Sequence, residues 1–287
     1  MGKSLERGIQ FQNSQRIFLI QTNFMSIKVF IFTRMDIQIS YAGRNFIIDL
    51  SRPHDISLPL VPNEVRQVNC FFAPLFEAEP VRAGTFIGSV KEGGPVNFLN
   101  LRLNPHGNGT HTECVGHISK EPFTLPACLT HFHMVAKLVS ILPQRMDDGD
   151  RVITKSQVEE VFEMGEVKAL IIRTLPNEED KKTRHYSGHN PPYVDHRALE
   201  LLAESDIEHL LIDLPSVDRE EDGGLLQGHK AYWNYPDSPR TNATITELIF
   251  VPSSLPDGFY FLNLQVTAME IDVSPARPIL YSMNSIE

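Results

Sequence analysis

The sequence is organised around residues 104–117, which read Asn-Pro-His-Gly-Asn-Gly-Thr-His-Thr-Glu-Cys-Val-Gly-His. Three histidines and one carboxylate fall within twelve residues here, and three glycines separate them. These four side chains are His106, His111, Glu113 and His117. Imidazole nitrogens and carboxylate oxygens are ligands that divalent transition metals prefer. Glycines allow the backbone to approach a bound ion closely. The stretch therefore predicts most of a metal site.

The spacing within the stretch indicates which side chains converge. In an extended chain, side chains two residues apart share one face, so His111 and Glu113 point the same way and His117 keeps their parity. His117 reaches them only if the chain curls, which Gly116 would ease. His106 has the opposite parity, and we predict that a β-bulge within residues 107–109 restores it. His106 is then a ligand only if the bulge forms.

Composition and charge exclude several classes of protein. The 287 residues carry a formal net charge of −10, and a nucleic-acid partner would require a basic face. The three cysteines, Cys70, Cys114 and Cys128, are too few and too scattered for a disulfide framework, and they include no CxxC pair. We therefore expect a cytoplasmic protein that acts on a small molecule and has neither a nucleic-acid nor a membrane partner.

Residues 1–34 differ from the rest of the chain, because they hold five basic residues and one acidic residue. Their two apolar runs, residues 17–20 and 29–32, are too short to span a bilayer and do not form a signal peptide. Met35 offers a later start. We expect residues 1–34 to be disordered or an over-long N-terminal extension, and residues 35–287 to form a single domain. The alternative is that residues 27–33 form an edge strand.

Periodicity and turn residues predict mostly strands in the first half of the chain and alternating strands and helices in the second. Residues 36–49 alternate in polarity about a central Ala-Gly turn, which predicts a hairpin. The β-branched run at residues 167–173 predicts a buried strand. Ser156 is a candidate cap for a helix over residues 157–164, and helical spacing recurs over residues 195–205. This mixture predicts an α/β fold with a mixed, largely antiparallel sheet system.

The central stretch resembles the motif His-x-Gly-Thr-His-x-Asp-x-Pro-x-His of the cyclase family, which includes bacterial kynurenine formamidases and isatin hydrolase. Further matches follow in the family's order between about residues 36 and 282. They are Ile48-Asp-Leu-Ser51, Ile212-Asp-Leu-Pro-Ser-Val-Asp218, Gly228-His229, Thr246-Glu247-Leu248 and the run from Ala268 to Arg277. Three positions depart from the motif. The family's first histidine aligns with Gly107, Glu113 replaces aspartate, and Val115 replaces proline.

The resemblance implies a swivelling β/β/α fold, assembly as a homodimer or homotetramer, and one or two divalent cations, zinc in the first place and manganese as the alternative. It implies that His111 and Glu113 are metal ligands and that His229 and Glu247 complete the site. His106 joins these ligands if a one-residue insertion lies within residues 107–109 of the motif. His117 matches the family's last histidine and is the candidate general acid/base.

These residues predict hydrolysis of an amide bond by a metal-activated water, with kynurenine formamidase-like activity as the best-known instance. Hydrolysis of cyclic amides or lactones, as by isatin hydrolase, is the second hypothesis, and a non-catalytic metal-binding or scaffold member is the third. No Gly-x-Ser-x-Gly motif is present, which argues against serine-hydrolase chemistry. Specificity would come from residues 52–80 and from the charged, turn-rich residues 176–192, which we expect to be a mobile loop.

Other polar and aromatic residues have simpler explanations. His131 and His133 are expected to be structural or surface residues, with a second metal contact as the alternative. His185 and His189 are expected to be solvated, with the lining of a substrate entrance as the alternative. Asp213 and Asp218 are expected to accept hydrogen bonds from the backbone. Trp233, with its neighbouring tyrosines, fits substrate stacking and core packing equally well. The parity of Cys114 directs it away from the metal site.

Overall fold

An eleven-stranded mixed sheet organises residues 35–286, the part of the chain that this computed structural model describes. In chain order its strands are β1 (Asp36–Tyr41), β2 (Arg44–Asp49), β3 (His54–Asp55), β4 (His111–Cys114), β5 (His133–Ile141), β6 (Ala169–Thr174), β7 (His209–Ile212), β8 (Thr244–Glu247), β9 (Gly258–Asn263), β10 (Val273–Pro275) and β11 (Ile279–Ile286). The expectations for residues 1–34, including the edge strand at 27–33, lie outside the described residues.

The centre of this sheet is parallel and both of its flanks are antiparallel. The strand order is β1-β2-β11-β9-β5-β6-β7-β8-β4-β10, and β3 pairs with β11. Strands β5, β6, β7 and β8 run parallel to one another. The remaining neighbours in the sheet pair antiparallel. The expected α/β fold with a mixed sheet is confirmed.

Smaller elements complete the described chain. The helices are α1 (Pro105–Asn108), α2 (Leu125–Cys128), α3 (Lys155–Val161), α4 (His196–Glu204) and α5 (Gln227–Trp233), with 3-10 turns at Val90–Glu92, Val115–His117 and Glu179–Thr183. Short strands pair outside the main sheet: Glu77–Pro80 with Leu99–Arg102, Arg82–Ala83 with Phe86–Ile87, and Arg151–Ile153 with both Gln144–Arg145 and Tyr193–Val194. None of the helices in residues 35–286 combines the length and apolar character needed to cross a membrane.

Two apolar layers cover the faces of the sheet. On β6, Leu170 and Ile172 join the layer that also contains side chains of α3, α4 and α5. The alternate residues Ala169 and Ile171 join the opposite layer, which contains side chains of α2 and β9. A parallel strand covered on both faces must be apolar throughout, and this explains the β-branched run that predicted it.

Local signals explain both the confirmed and the corrected elements. The 36–49 hairpin forms about Ala42 and Gly43, whose φ angles of 49° and 72° suit the tight turn between two twisted strands. The helix predicted over residues 157–164 begins earlier, because Thr154 and not Ser156 caps it. Thr154 and Gln157 form a capping box, in which each side chain bonds the backbone N–H of the other residue.

The charged segment at residues 176–192 is held to the sheet by a buried ion pair. Lys181, in the 3-10 turn Glu179–Thr183, donates to the Asp213 carboxylate at 2.9 Å and to the Thr174 carbonyl at 2.7 Å. Asp213 also accepts the Thr174 backbone N–H at 3.0 Å, as expected of a backbone acceptor. Lys181 and Asp213 are 5% and 1% exposed, so the expectation of a wholly mobile loop is wrong at its centre.

Replacing Lys181 with methionine is expected to lower the free energy of unfolding by about 3 to 5 kcal/mol, because Asp213 would remain buried without its cation. Urea denaturation measures this loss. Lys155→Met is the matched control, since Lys155 forms a half-exposed pair with Glu159 and its loss should cost less than about 1 kcal/mol. Equal effects of the two substitutions would show that the buried pair does not hold the segment.

Candidate metal centre

Strand β4 supplies the first two side chains of the site. His111 and Glu113 are 0% and 1% exposed and lie on the same face, as their spacing predicts. Strand β8 runs antiparallel beside β4 and places Glu247 directly opposite His111. The His111 Nε2 atom lies 3.4 Å from Glu247 Oε2. Sheet register therefore brings together three of the predicted ligands.

His106 reaches the same place from a helical turn and not from a bulge. Asn104 caps the turn Pro105–Asn108 by accepting the Gly107 N–H at 3.1 Å, and Pro105 suits the first helical position. The turn directs His106 Nδ1 to within 3.1 Å of Glu113 Oε2. The predicted β-bulge at residues 107–109 is wrong, because this turn takes up the extra residue. A Cβ at Gly107 would lie 2.2 Å from Ala73 Cβ, so the turn requires glycine there.

His117 stands at the rim of the cluster. The 3-10 turn Val115–His117 curls the chain back, as the parity argument required. Its Nδ1 atom lies 3.8 Å from Glu113 Oε2 and 3.6 Å from Asp272 Oδ2. The His117 side chain is 30% exposed, whereas those of His111 and Glu113 are buried. The His106 side chain is 25% exposed, so His117 and His106 are the two histidines of this stretch that a molecule arriving from solvent can meet.

The fourth histidine comes from α5 and is held by Asp218. His229 Nε2 lies 3.1 Å from Glu113 Oε1, and its Nδ1 lies 2.5 Å from Asp218 Oδ2. Asp218 also accepts the backbone N–H groups of Gly228 and His229, at 2.6 and 3.3 Å. The expected backbone role of Asp218 is therefore correct, and the same carboxylate orients a histidine of the cluster.

One pattern unites His106, His111 and His229: one ring nitrogen points inward to Glu113 or Glu247, and the other meets an acceptor. The outward nitrogen of His111 lies 2.9 Å from the Gly109 carbonyl, that of His229 meets Asp218, and that of His106 lies 3.5 Å from Asp272. Ligating histidines almost always donate their second N–H to a carbonyl or carboxylate. The arrangement of the cluster is that of ligands around an ion.

Two buried atoms support this conclusion. Among the described residues, His111 Nε2 and Glu113 Oε2 are buried and make no hydrogen bond. Charged neighbours lie 3.4 and 3.1 Å away, but the angles are not those of hydrogen bonds. Unsatisfied buried polar atoms are costly, and coordination of a cation would satisfy both. Among the described residues, three overlapping groups of side chains are close enough to hold an ion: His106 with His111 and Glu113, Glu113 with His117 and His229, and His106 with His117 and Asp272.

The charges of the cluster are strongly coupled. Burial by itself lowers the pKa of His106, but the Asp272 and Glu113 carboxylates raise it to about 9. Burial has the same effect on His229, and the Asp218 and Glu113 carboxylates raise its pKa to about 10. Burial opposes ionisation of Glu113, yet the neighbouring histidines hold the pKa of its carboxyl well below its usual range. Burial and then the charge of Glu113 raise the pKa of Glu247.

Asp272 was not among the predicted site residues, although it lies within 3.6 Å of both His106 and His117. It stands just before β10, which pairs with β4 on the side away from β8. No motif marks Asp272 in the sequence. Its nearest signal is the strand-and-turn run from Ala268 to Arg277, which suggests only that the segment is structured.

The other residues considered from the sequence lie apart from the cluster or support it from behind. Trp233 and Tyr232 are fully buried in the apolar layer that contains side chains of α3, α4 and α5. They therefore pack in the core and are not available to stack on a substrate. Cys114 is buried in the opposite layer and points away from the site, as expected. His133 is exposed and lies 2.6 Å from the Asn263 amide, and His185 contacts the Val65 carbonyl.

The chain matches the model of the protein family described as "Putative cyclase" over residues 48–219. This match spans more than half of the chain. The chain belongs to this cyclase family. The matched range contains the motif from His106 to His117 but ends before His229, Glu247 and Asp272, which the fold brings to the motif. No curated protein sequence has significant similarity to the chain.

Solved structures share the fold of this cyclase-family chain. A protein described as a potential metal-dependent hydrolase with cyclase activity gives a TM-score of 0.58 at 18% identity, covering 80% of this chain and 97% of its own. An isatin hydrolase bound to the product analogue thioisatinate gives 0.60 at 15%, covering 80% and 92%. Isatin hydrolase A from Ralstonia solanacearum gives 0.57 at 15%, covering 80% and 91%. At these identities the likeness establishes the fold.

Metal binding is expected to release protons at neutral pH. With pKa values of about 9 and 10, His106 and His229 are both protonated there in the metal-free protein, and a cation must displace these protons. Affinity should therefore rise as the pH increases from 7 to 9. Calorimetric titration with Zn²⁺ in buffers of different ionisation enthalpy measures the number released. A pH-independent affinity without proton release would exclude His106 and His229 as ligands.

Proposed function

We propose that the chain is a metal-dependent hydrolase that cleaves the amide bond of a small, arylformamide-like substrate. The main observation behind this proposal is that His106, His111 and His229 point inward to two buried carboxylates. His117 lies beside them and is partly exposed. Membership of the cyclase family and a fold shared with structures described as metal-dependent hydrolases support the proposal.

The proposed cation is zinc, with manganese as the alternative, and His106, His111, Glu113, His229 and Glu247 would hold it. When bound, a divalent cation supplies a Lewis acid that polarises a carbonyl and lowers the pKa of water. Five candidate donors exceed the four that a single tetrahedral zinc ion needs. The proposal therefore includes one ion or two, with Glu113 central because both of its oxygens face histidines.

A pocket of about 380 Å³ opens beside the cluster and supports a small substrate. His106 and Asp272 form one side of it. Apolar or weakly polar walls complete most of its lining, from Pro74, Leu75, Leu103, Pro105 and Val273. An aromatic or other apolar body fits between such walls, with its reacting group towards His106 and Asp272. This chemistry is compatible with an aryl amide.

His117 is proposed as the general acid/base. Its imidazole is partly exposed and its Nδ1 faces the carboxylates of Glu113 and Asp272. The ring can accept a proton as water attacks the carbonyl and return it to the departing nitrogen. We therefore assign proton transfer to His117 and metal binding to the more deeply buried His111 and His229.

A cyclic amide is the second candidate substrate. The observation that favours it is the fold shared with isatin hydrolases, one of them bound to thioisatinate. The same residues would serve both reactions, since ring opening also breaks an amide by attack of water on its carbonyl. A screen containing N-formylkynurenine, isatin and simple lactones separates the candidates.

We also propose that the chain assembles with copies of itself. Apolar side chains are exposed along the segment that carries the small paired strands, among them Val90, Val96, Phe98, Leu99 and Leu101. Burying such side chains at an interface is favourable.

His117→Ala is expected to lower the turnover number by about 100- to 10,000-fold while the metal content stays unchanged, because a proton-transfer group is lost but no ligand. Elemental analysis and amide hydrolysis measure the two quantities. His131→Ala is the control, because this exposed histidine bonds only locally to Thr130. Loss of metal from His117→Ala would make His117 a ligand and contradict the assignment.

Within residues 35–286, Arg102 is the one lysine or arginine that lines the pocket, so substrates with an acidic group are expected to be preferred. Its pairing with Glu77 at 3.9 Å is loose and exposed, which leaves the guanidinium free to bind a carboxylate. In Arg102→Gln, the ratio of kcat/KM for N-formylanthranilate to that for its methyl ester should fall roughly 10- to 100-fold.

The matched control for this substitution is Arg82→Gln. Arg82 lies on the short strand Arg82–Ala83, pairs with Glu92 of the turn Val90–Glu92, and does not line the pocket. An unchanged ratio in Arg102→Gln, or an equal fall in Arg82→Gln, would exclude an anion-binding role for Arg102.

A further inference from the structure

A single carboxylate oxygen lies beside two histidines with different functions. Asp272 Oδ2 is 3.5 Å from His106 Nε2 and 3.6 Å from His117 Nδ1. The Asp272 backbone is fixed against the motif, because its carbonyl accepts the Cys114 N–H at 3.0 Å. The next residue, Val273, pairs with Glu113 in the sheet. Asp272 therefore approaches the cluster from a rigid strand edge.

The two nitrogens of His106 face different carboxylates. Nδ1 points inward to Glu113 at 3.1 Å and Nε2 points outward to Asp272. A ring that gives its inward lone pair to a cation carries its hydrogen on the outward nitrogen. Asp272 then faces the outward nitrogen of His106, as Asp218 faces the outward nitrogen of His229. The separation of 3.5 Å exceeds a hydrogen bond, and such contacts in ligand-free sites often shorten in the working complex.

The same oxygen sets the orientation of His117. Its Nδ1 faces carboxylate oxygens of both Asp272 and Glu113, and both can only accept when ionised. The hydrogen of a neutral His117 ring therefore lies on Nδ1, and the lone pair on Nε2 is left to take a proton from water. Loss of Asp272 would free the ring to rotate or to change tautomer.

We propose that Asp272 is a positioning residue that fixes the tautomers of a metal ligand, His106, and of the acid/base, His117, through one carboxylate oxygen. The part of this proposal that concerns His117 rests on the proposed hydrolase function. The part that concerns His106 rests on metal binding alone. The two parts have separate measurements, so failure of one is distinguishable from failure of the other.

The first measurement is metal affinity in Asp272→Asn, by competition of the purified protein with a chelator for Zn²⁺. We expect affinity to fall roughly 10- to 100-fold with the number of bound ions unchanged. Glu270→Gln is the matched control, because this nearby exposed carboxylate accepts a hydrogen bond from Thr124 at 3.1 Å, away from the cluster, and its loss should have no effect. Loss of a bound ion from Asp272→Asn would make Asp272 a ligand and overturn the proposal, as would unchanged affinity.

The second measurement is a double-mutant cycle on the turnover number at saturating metal, with Asp272→Asn and His117→Ala. Asp272→Asn alone should lower turnover at least about tenfold, and should change it little once His117 is absent, because both substitutions remove the same function. Asp272→Glu should recover part of the loss, since it keeps the carboxylate. Equal losses in both backgrounds would show that Asp272 does not act through His117. If the wild type hydrolyses no amide tested, the proposed function fails. The affinity measurement would still show whether Asp272 orients His106.

Discussion

The structure depends on the burial of one charge, the carboxylate of Glu113. An isolated carboxylate in the interior is strongly unfavourable, and it persists there only when cations or hydrogen-bond donors surround it. In this chain, His106, His117 and His229 lie within 4 Å of Glu113, and each comes from a different local element. The helical turn, the 3-10 turn and helix α5 are arranged so that their imidazoles meet around it.

The same constraint extends outward. Imidazoles placed against the buried carboxylates of Glu113 and Glu247 need partners for their outer nitrogens or must point them to solvent. Asp218 and Asp272 meet this need for His229 and His106, and the Gly109 carbonyl meets it for His111. The cluster therefore consists of a metal-binding interior and a shell that orients it. Substituting Asp218 or Asp272 would change the orientation of the histidines without removing any of the proposed ligands.

Side-chain parity and sequence motif were sufficient to predict the inner residues, because a strand fixes which side chains share a face. His111 and Glu113 share theirs, and the resemblance to the cyclase family added His229 and Glu247. The local signals for two corrected features were present in the sequence. Asn104 followed by Pro105 is a helix-start pattern, and Thr154 with Gln157 forms a capping box. The glycines of residues 107–109 and Ser156 are competing signals, because they favour a bulge and a later helix start. Asp272 could not be predicted from the residues, because only the pairing of β10 with β4 places it.

The pairing of β4 has a consequence for how the site comes into being during synthesis. This strand lies between β8 and β10, and Thr112 bonds Thr246 across 134 positions of the chain. A growing chain that has completed the histidine motif has neither neighbour of that strand, and contacts between distant residues form late because closing long loops costs entropy. The motif therefore stays unpaired, and the proposed ligand set lacks Glu247, until the later strands emerge. On the proposed ligand set, the complete metal site would form only in a nearly finished chain.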